Sequence, residues 1–285
     1  MQTLPASRAA VISRLRAAGC VFAEEECGLL AEAAGTQEEL DVLVERRVSG
    51  LPLEHILGWA AFCGLRIALD PGVFVPRRRT EFLVRQAALL VQPSGQADDA
   101  GRKAAVVVDL CCGSGAVGVA IAALAGRLEL HASDVDKAAV TCARRNVLPL
   151  GGAVHEGDLY EALPERLRGR IDVLAVNAPY VPSAGIRNMP QEARLHEPRV
   201  SLDGGADGLD VQRRVAAAAP QWLAPGGHVL METSRQQAAQ TVGLFTVNGL
   251  TARVARSEEL DATVVIGTAV PGAAAAGRAA AGSPA

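Results

Sequence analysis

From residue 104 onward, short apolar segments alternate with longer segments that have helical spacing. The short segments have the length and the Val, Ile, Leu and Ala content of buried strands. This alternation predicts an α/β fold, in which a parallel sheet is covered by helices on both faces. Because such sheets bind ligands beyond the carboxyl ends of their strands, we expect functional residues in the loops that follow them. The predicted strands are Ala105–Leu110, Leu128–Ser133, Ala153–Glu156, Ile171–Val176, His228–Glu232, Thr251–Ala255 and Thr263–Thr268, and the predicted helices span 116–125, 136–147, 207–223 and 235–247.

The loop after the first predicted strand is rich in glycine and other small residues. Gly113 and Gly115 let the backbone turn tightly and approach a ligand at the N-terminus of the next helix, and a third glycine follows at position 118. This spacing suits a dinucleotide and S-adenosylmethionine equally well, so the loop alone does not choose between the two cofactors. The segment reads Asp109-Leu110-Cys111-Cys112-Gly113-Ser114-Gly115.

Carboxylates stand at or after each of the first three predicted strands. Asp134 ends the second strand, where it can accept hydrogen bonds from both ribose hydroxyls or cap the next helix. Asp158 follows the third strand, where it either reaches an adenine or forms a turn. Asp109 lies on a buried strand, where its charge is costly unless loop amides or a ligand donate hydrogen bonds to it. We interpret Cys111 and Cys112 as small residues that fit a tight loop, because no neighbour in sequence would lower a thiol pKa.

The fourth predicted strand runs directly into Asn177-Ala178-Pro179-Tyr180. The Asn177 side-chain carbonyl and a neighbouring backbone carbonyl can each accept an N–H of a substrate –NH2 group. Pro179 fixes the turn, and the ring of Tyr180 offers a face to a flat group. An ordinary strand-to-loop turn is the alternative interpretation of this tetrapeptide.

The residues before position 104 divide into two smaller units. Residues 6–50 carry apolar side chains at helical spacing, and Thr36 and Glu39 are placed as a capping box. We assign 1–55 to an N-terminal helical domain, 56–91 to a hairpin-like connector with a helix, and 104–270 to the alternating domain. The polar residues 92–103 are predicted to form a loop, and the Ala- and Gly-rich residues 271–285 a disordered tail.

Composition limits the classes of partner. The chain has 285 residues and a formal net charge of -3, which does not favour DNA or RNA as a stable partner. It has no apolar run of membrane-span length and no signal-peptide core at its start. Its six cysteines lack paired zinc-ligand spacing and are expected to be reduced thiols. We therefore expect a cytoplasmic enzyme with no membrane association and no metal site.

Several further motifs occur in a fixed order between residues 46 and 270. They are Gly50–Gly58, Phe62–Leu65, Val75-Pro76-Arg77 with Thr80-Glu81, His196-Glu197-Pro198, Leu202–Leu209 and Leu223–Gly227. Together with residues 177–180, this ordered set resembles the protein N5-glutamine methyltransferase family that modifies peptide chain release factors. That family carries Asn-Pro-Pro-Tyr at the position of this tetrapeptide.

The resemblance implies a seven-stranded, Rossmann-like S-adenosylmethionine methyltransferase sheet, with N-terminal helices that help to recognise a protein substrate. It also implies that residues 177–180 hold a glutamine amide. Our hypothesis for the reaction is direct transfer of the methyl group, in line, from the sulfonium to the amide nitrogen. Holding the reacting atoms about 3 Å apart can supply roughly 7–11 kcal/mol of the barrier. The sequence shows no general base beside Asn177, and none is required if the proton leaves after transfer. The residues predicted to contact the cofactor are Asp109, Cys111, Cys112, Gly113, Ser114, Gly115, Asp134, Asp158, Leu159 and Asn177, and those predicted to hold the amide are Asn177, Ala178, Pro179 and Tyr180.

This chain departs from the family pattern at three places. Position 178 is Ala where the family has Pro, Arg78-Arg79 replaces Pro-x before Thr-Glu, and Cys111-Cys112-Gly113 replaces a more glycine-rich loop. The arginines leave the identity of the protein substrate open. They also favour a second hypothesis, adenine-N6 methylation of nucleic acid, while a third is an S-adenosylmethionine-binding protein without catalysis. NAD-dependent oxidoreduction is disfavoured, because nothing after the fourth strand resembles hydride-transfer chemistry.

Overall fold

The computed structural model describes residues 8–91 and 104–270. The predicted loop at 92–103 and the predicted tail at 271–285 lie outside these residues.

From residue 8 onward, four helices precede the first strand. Their apolar faces pack around Leu15, Leu30 and Val44, which are fully buried. The predicted cap is present: the Thr36 hydroxyl accepts a hydrogen bond from the Glu39 backbone N–H at 3.2 Å. The predicted N-terminal helical region is therefore present, whereas its boundary at residue 55 remains a prediction. The helices are α1 (Arg8–Ala17), α2 (Ala23–Ala33), α3 (Gln37–Val48) and α4 (Leu53–Leu57).

A two-stranded hairpin and a helix connect this region to the main sheet. Strands β1 (Trp59–Phe62) and β2 (Leu65–Ala68) pair in antiparallel fashion. The turn between them places Cys63 at φ 50° and Gly64 at φ 75°, and two left-handed residues are typical of tight hairpin turns. Helix α5 (Glu81–Leu90) follows and buries Leu83, Val84 and Ala87.

The main sheet has seven strands in the order β5-β4-β3-β6-β7-β9-β8. The strands β3 to β7 are parallel to one another, as predicted. The strands are β3 (Ala105–Leu110), β4 (Leu128–Asp134), β5 (Ala153–Glu156), β6 (Ile171–Val176), β7 (Leu223–Thr233), β8 (Leu250–Ser257) and β9 (Ala262–Ala269), and the helices between them are α6 (Ala116–Ala125), α7 (Lys137–Val147), α8 (Gln191–His196), α9 (Asp210–Trp222) and α10 (Ala238–Val247).

The prediction of a fully parallel sheet was wrong for β9. This strand is antiparallel to both β7 and β8. The connection from β8 to β9 covers only residues 258–261, with Asp261 at φ 44°, and so short a segment cannot make the crossover that a parallel pair requires. β7 also begins earlier than predicted, at Leu223, because this residue pairs with Ile171 before the register shifts.

Successive residues of each central strand face opposite sides of the sheet. Val106 and Leu174 belong to the hydrophobic core on one side, whereas Val107 and Val173 belong to the core on the other. Every residue of β3 is buried. Because β3, β4, β6 and β7 are parallel, the loops at their carboxyl ends meet at one edge of the sheet.

Candidate active site

A pocket of about 600 Å³ lies at this edge, where the carboxyl ends of the parallel strands meet. It is lined by the loops after β3 and β6, the ends of β4 and β7, and parts of the segments 74–80 and 189–202. Asp109 and Gly115 are outside the lining. The predicted residues that line the pocket are Cys111, Cys112, Gly113, Ser114, Asp134, Asp158, Leu159, Asn177, Ala178, Pro179 and Tyr180.

Asp134 is held in the pocket by backbone amides. Its Oδ2 accepts a hydrogen bond from the N–H of Gly113 at 2.9 Å, and its Oδ1 accepts one from Asp136 at 2.9 Å. Burial raises the pKa of Asp134, and these hydrogen bonds oppose the rise. The helix cap belongs to Asp136, which accepts from the N–H of Ala138, so capping does not explain Asp134. Each carboxylate oxygen keeps a further lone pair with which to accept a hydroxyl.

The glycine loop has left-handed backbone at three positions. Gly113 and Gly115 have φ 54° and 77°, and Cys111 has φ 60°, a conformation that costs a residue with a side chain about 1–2 kcal/mol. A Cβ on Gly115 would lie 2.9 Å from a Val147 methyl group, so this glycine lets α6 approach α7. Burial raises the pKa of both Cys111 and Cys112 well above the ordinary value. The thiols are therefore neutral, which agrees with their interpretation as small loop residues.

Asp109 and Asp158 have different surroundings. The buried Asp109 carboxyl accepts a hydrogen bond from the N–H of Gly118 at 2.8 Å. Burial raises the pKa of Asp109 to about 8, and the Gly118 hydrogen bond only partly offsets this. Its observed contact thus joins β3 to α6. The Asp158 carboxylate instead accepts a hydrogen bond from Arg214 at 2.6 Å, and both of these partly exposed side chains line the pocket.

The loop formed by residues 177–180, here called the Asn177–Tyr180 loop, is held by side chains at both ends. The Asn177 Nδ2 donates to the hydroxyl of Thr80 at 3.4 Å. The Tyr180 hydroxyl donates to Glu232 Oε1 at 3.2 Å, and the Tyr180 carbonyl accepts from Gln237 at 3.0 Å. Burial raises the pKa of Tyr180, and the Glu232 carboxylate adds to the rise. The side chains of Asn177 and Tyr180 therefore both have fixed partners.

The motif Leu202–Leu209 supports the backbone of the same loop. The Val181 N–H donates to the Leu202 carbonyl at 3.1 Å, and the Gly204 N–H donates to the Val181 carbonyl at 2.9 Å. A Cβ on Gly204 would lie 2.7 Å from the Pro179 carbonyl oxygen, and one on Gly208 would collide with the Tyr180 carbonyl. These glycines are needed because two backbone segments approach each other closely.

Comparisons with known proteins assign this site to a family. Residues 65–197 match the family model described as "Methyltransferase small domain". The chain is 37% identical over 209 residues to the release factor glutamine methyltransferase of Geobacter sulfurreducens, covering 73% of this chain and 69% of the relative. It is 38% identical over 208 residues to the release factor glutamine methyltransferase of Streptomyces coelicolor, covering 72% of this chain and 70% of the relative. The chain belongs to the release factor glutamine methyltransferase family.

Membership makes the chain an S-adenosylmethionine-dependent methyltransferase and confirms the resemblance found in the sequence. Another relative is the 4-amino-L-phenylalanine/4-methylamino-L-phenylalanine methyltransferase of Streptomyces pristinaespiralis, 36% identical over 206 residues, covering 72% of this chain and 69% of the relative. The crystal structure of a methyltransferase from Pyrococcus furiosus matches with a TM-score of 0.53 at 16% identity, covering 73% of this chain and 90% of that one. This match confirms the Rossmann-like methyltransferase fold.

Four buried side-chain oxygens of this methyltransferase have no hydrogen-bond partner within the described residues. They are Ser114 Oγ, Ser133 Oγ, Glu197 Oε2 and Glu232 Oε2. All four residues line the pocket. Buried polar atoms are normally hydrogen-bonded, so this concentration indicates a pocket built around a polar ligand such as S-adenosylmethionine.

Several residues of the methyltransferase pocket were missed in the sequence. Glu232 stands at the end of a predicted strand, and the rule that placed Asp134 at the cofactor would have found it. Glu197 and Arg77 lie in family motifs and pair at 2.5 Å, but nothing local connects them. Nothing in the sequence around Arg214 indicates a pocket residue, since it lies in the middle of a predicted helix. Arg78 is exposed and lies outside the pocket lining, whereas Arg77 and Arg79 belong to it.

Within the described residues, no helix is long and apolar enough to cross a membrane, and no cluster of metal-ligating side chains is found. All six cysteines are free thiols.

Proposed function

We propose that this methyltransferase modifies the side-chain amide nitrogen of a glutamine in a peptide chain release factor. The observation that carries the proposal is that the glycine loop, Asp134 and the Asn177–Tyr180 loop line one pocket. The relatives named for release factor glutamine methylation support this acceptor. A release factor substrate would place the enzyme in the cytoplasm.

The half of the pocket formed by β3 and β4 is suited to hold the cofactor. S-adenosylmethionine supplies a methyl group on a positively charged sulfonium. We propose that Asp134 accepts hydrogen bonds from the ribose hydroxyls, because its oxygens are already aimed by two backbone amides. Leu159 offers an apolar contact to the adenine, and the Asp158–Arg214 pair lies beside it at the pocket wall. The glycine loop lets the backbone approach the cofactor closely.

The Asn177–Tyr180 loop is suited to hold the amide. An amide nitrogen is a poor nucleophile, because its lone pair is delocalised into the carbonyl group. Since the Asn177 Nδ2 is engaged by Thr80, the side-chain oxygen is the atom left to accept a substrate N–H. A second acceptor from the loop backbone would fix the nitrogen in the plane of the two hydrogen bonds. We propose that this arrangement positions the nitrogen in line with the methyl group, where orientation lowers the barrier.

The charge of the pocket argues against a nucleic-acid acceptor. In the described chain, its lining contains seven carboxylates, Glu54, Asp134, Asp136, Asp158, Glu192, Glu197 and Glu232, but three guanidinium groups, Arg77, Arg79 and Arg214. A polyphosphate backbone favours the opposite balance. The absence of a stable nucleic-acid partner nevertheless stays a prediction.

A small aromatic amine is a second candidate acceptor. The relative named for 4-amino-L-phenylalanine is as similar to this chain as the release factor enzymes are. An arylamine is a planar –NH2 group, which suits the same acceptors. The guanidinium of Arg79 lines the pocket with a half-exposed side chain and would pair with the carboxylate of a free amino acid.

The test combines purified enzyme, labelled S-adenosylmethionine and recombinant release factors, with mass spectrometry of their glutamine-containing peptides. Addition of one methyl group to a glutamine, lost in Asn177→Ala but retained in Asn248→Ala, would support the proposal. Asn248 is a suitable control because it lies at the end of α10, outside the pocket. Methylation of 4-amino-L-phenylalanine alone would favour the second candidate. Label in nucleic acid and in neither of these acceptors would contradict both.

A further inference from the structure

Glu232 is a buried carboxylate in the acceptor half of the pocket. It stands near the end of β7, beside β6, with a side chain that is 3% exposed. One of its oxygens, Oε2, is buried and has no hydrogen-bond partner within the described residues, although the residue lines the pocket. Leaving a carboxylate oxygen in this state is costly, so an N–H or O–H of the ligand is expected to reach it.

The surroundings of Glu232 connect it to the Asn177–Tyr180 loop. Its Oε1 accepts from the Tyr180 hydroxyl at 3.2 Å, and Thr80, which accepts from Asn177, also contacts the carboxylate. The guanidinium of Arg79 lies 4.0 Å away with a half-exposed side chain, so it neutralises the charge only in part. On β9, the paired residue is the uncharged Val264. The titratable and charged groups that face Glu232 are thus Tyr180 and Arg79.

We propose that Glu232 Oε2 accepts a hydrogen bond from the nitrogen that is methylated and takes its proton during the reaction. This inference rests on the proposed function, because it assigns a residue to the same acceptor site. It gives the reaction a base that the sequence did not reveal. Glu232 would be a catalytic residue, since it contacts the reacting nitrogen.

The step balances in atoms and charge. A bond forms between nitrogen and the methyl carbon while the carbon–sulfur bond breaks, and its electron pair remains on sulfur as a neutral thioether. The nitrogen–hydrogen electron pair stays on nitrogen, and the proton passes to the carboxylate. Glu232 returns the proton to water when the products leave. Burial raises the pKa of Glu232, which makes its ionised form a stronger base than an exposed glutamate.

Glu197, the other carboxylate with an unpartnered oxygen in the pocket, is less suited to this role. Its Oε1 accepts from Arg77 at 2.5 Å and from the Val75 N–H at 3.4 Å. The Arg77 charge opposes the rise in its pKa. Within the described residues, no hydrogen bond joins Glu197 to the Asn177–Tyr180 loop. Its geometry instead fixes the segment before α5 to the segment after α8.

The test compares Glu232→Gln with the wild type and with Tyr180→Phe. Glutamine keeps the shape and an acceptor for Tyr180 but cannot take a proton, so kcat should fall by roughly 10²–10⁴-fold. The affinity for S-adenosylmethionine, measured by calorimetry, should change less than about twofold if the fold is intact. In the wild type, kcat should decline as pH falls and Glu232 becomes protonated, and this decline should be absent from the residual activity of Glu232→Gln. Tyr180→Phe should keep the decline, since it keeps the carboxylate.

Two outcomes would overturn the inference. The first is a Glu232→Gln variant with kcat within about threefold of the wild type. The second is equal losses in Glu232→Gln and Tyr180→Phe with unchanged pH profiles, because Glu232 would then only position Tyr180. Glu232→Asp keeps a carboxylate and should recover part of the activity, which guards against a folding defect in the Gln variant. All comparisons use whichever acceptor the wild type methylates, so a failure with glutamine contradicts the proposed function and leaves the Glu232 test standing.

Discussion

The amide nitrogen of Asn177 lies 3.4 Å from the hydroxyl oxygen of Thr80, and the two residues are 97 positions apart in the chain. Thr80 is 1% exposed and immediately precedes α5. The contact therefore joins the Asn177–Tyr180 loop to the connector, and it leaves the side-chain oxygen of Asn177 as the end of the amide that can accept a hydrogen bond. Thr80, which the sequence presented only as part of the Thr80-Glu81 motif, thus holds the side chain of Asn177 in one orientation.

We expect Thr80→Val to reduce kcat/KM for the acceptor by about 5- to 150-fold. Valine has nearly the same shape but no hydroxyl, and leaving a buried polar group without its partner costs about 1–3 kcal/mol. The affinity for S-adenosylmethionine should be preserved. Steady-state kinetics with the acceptor varied would measure the effect, and Thr80→Ser, which keeps the hydroxyl, should stay near wild type. Equal activities of the Val and Ser variants would show that the hydroxyl does not orient Asn177.

Gly208→Ala should lower both thermal stability and activity. Gly208 has φ 79°, and an added Cβ would collide with the Tyr180 carbonyl. Gly249 has φ 81° with nothing within 4 Å of an added Cβ, so Gly249→Ala is a matched control for backbone strain. The melting temperature measured by thermal unfolding should decrease in both variants, because an alanine in the left-handed conformation costs about 1–2 kcal/mol. Only Gly208→Ala should lose activity, and equal behaviour of the two would contradict the proposed support of the loop.

Asp134→Asn should weaken S-adenosylmethionine binding by about tenfold or more. Both carboxylate oxygens accept backbone N–H groups, so an amide –NH2 must oppose a donor from either Gly113 or Asp136. Loss of a hydrogen bond to a charged group costs about 1.5–3 kcal/mol. Calorimetric titration would measure the affinity. Asp70→Asn removes the same charge outside the pocket, and a similar loss of affinity there would point to net charge as the cause.

The sequence predicted more of the pocket lining beside β3 and β4 than of the lining around the Asn177–Tyr180 loop. Asp134 and the glycine loop lie at strand ends that periodicity locates, and their partners are near in sequence. Glu232 also ends a predicted strand, but its contacts with Thr80 and Tyr180 depend on how β7 lies beside β6 and the start of α5. No local pattern in the sequence predicts these contacts, so the position of Glu232 beside the Asn177–Tyr180 loop emerged only from the structure.

Two other differences also have local physical reasons. The antiparallel β9 follows from the short connection after β8, whereas the sequence showed only two more apolar segments in the same alternation. Asp109 was assigned to the cofactor because it precedes the glycine loop. The structure instead gives it the N–H of Gly118 as its partner, and its proposed contact with the cofactor has no support from the pocket lining.

Asp109 should make the protein less stable as the pH rises. Its folded pKa of about 8 lies above the ordinary value of 3.8, because burial disfavours the charged form. The folded state therefore keeps a proton that the unfolded state releases between these two values. The stability that protonated Asp109 contributes is complete below its unfolded pKa and is lost as the pH rises through its folded pKa. The free energy of unfolding falls by no more than about 1.4 kcal/mol per pH unit.

Asp109→Asn tests this sign directly. Asparagine keeps an oxygen that can accept from Gly118 but does not titrate, so the variant should lack this component of the pH dependence. Urea unfolding at several pH values from about 4 to about 8 would give the free energy of unfolding of both proteins. We expect the wild type to lose stability relative to the variant as the pH increases, since all other titrating groups are shared. Parallel pH dependences would mean that Asp109 is already ionised in the folded protein, with its charge stabilised by the N–H of Gly118.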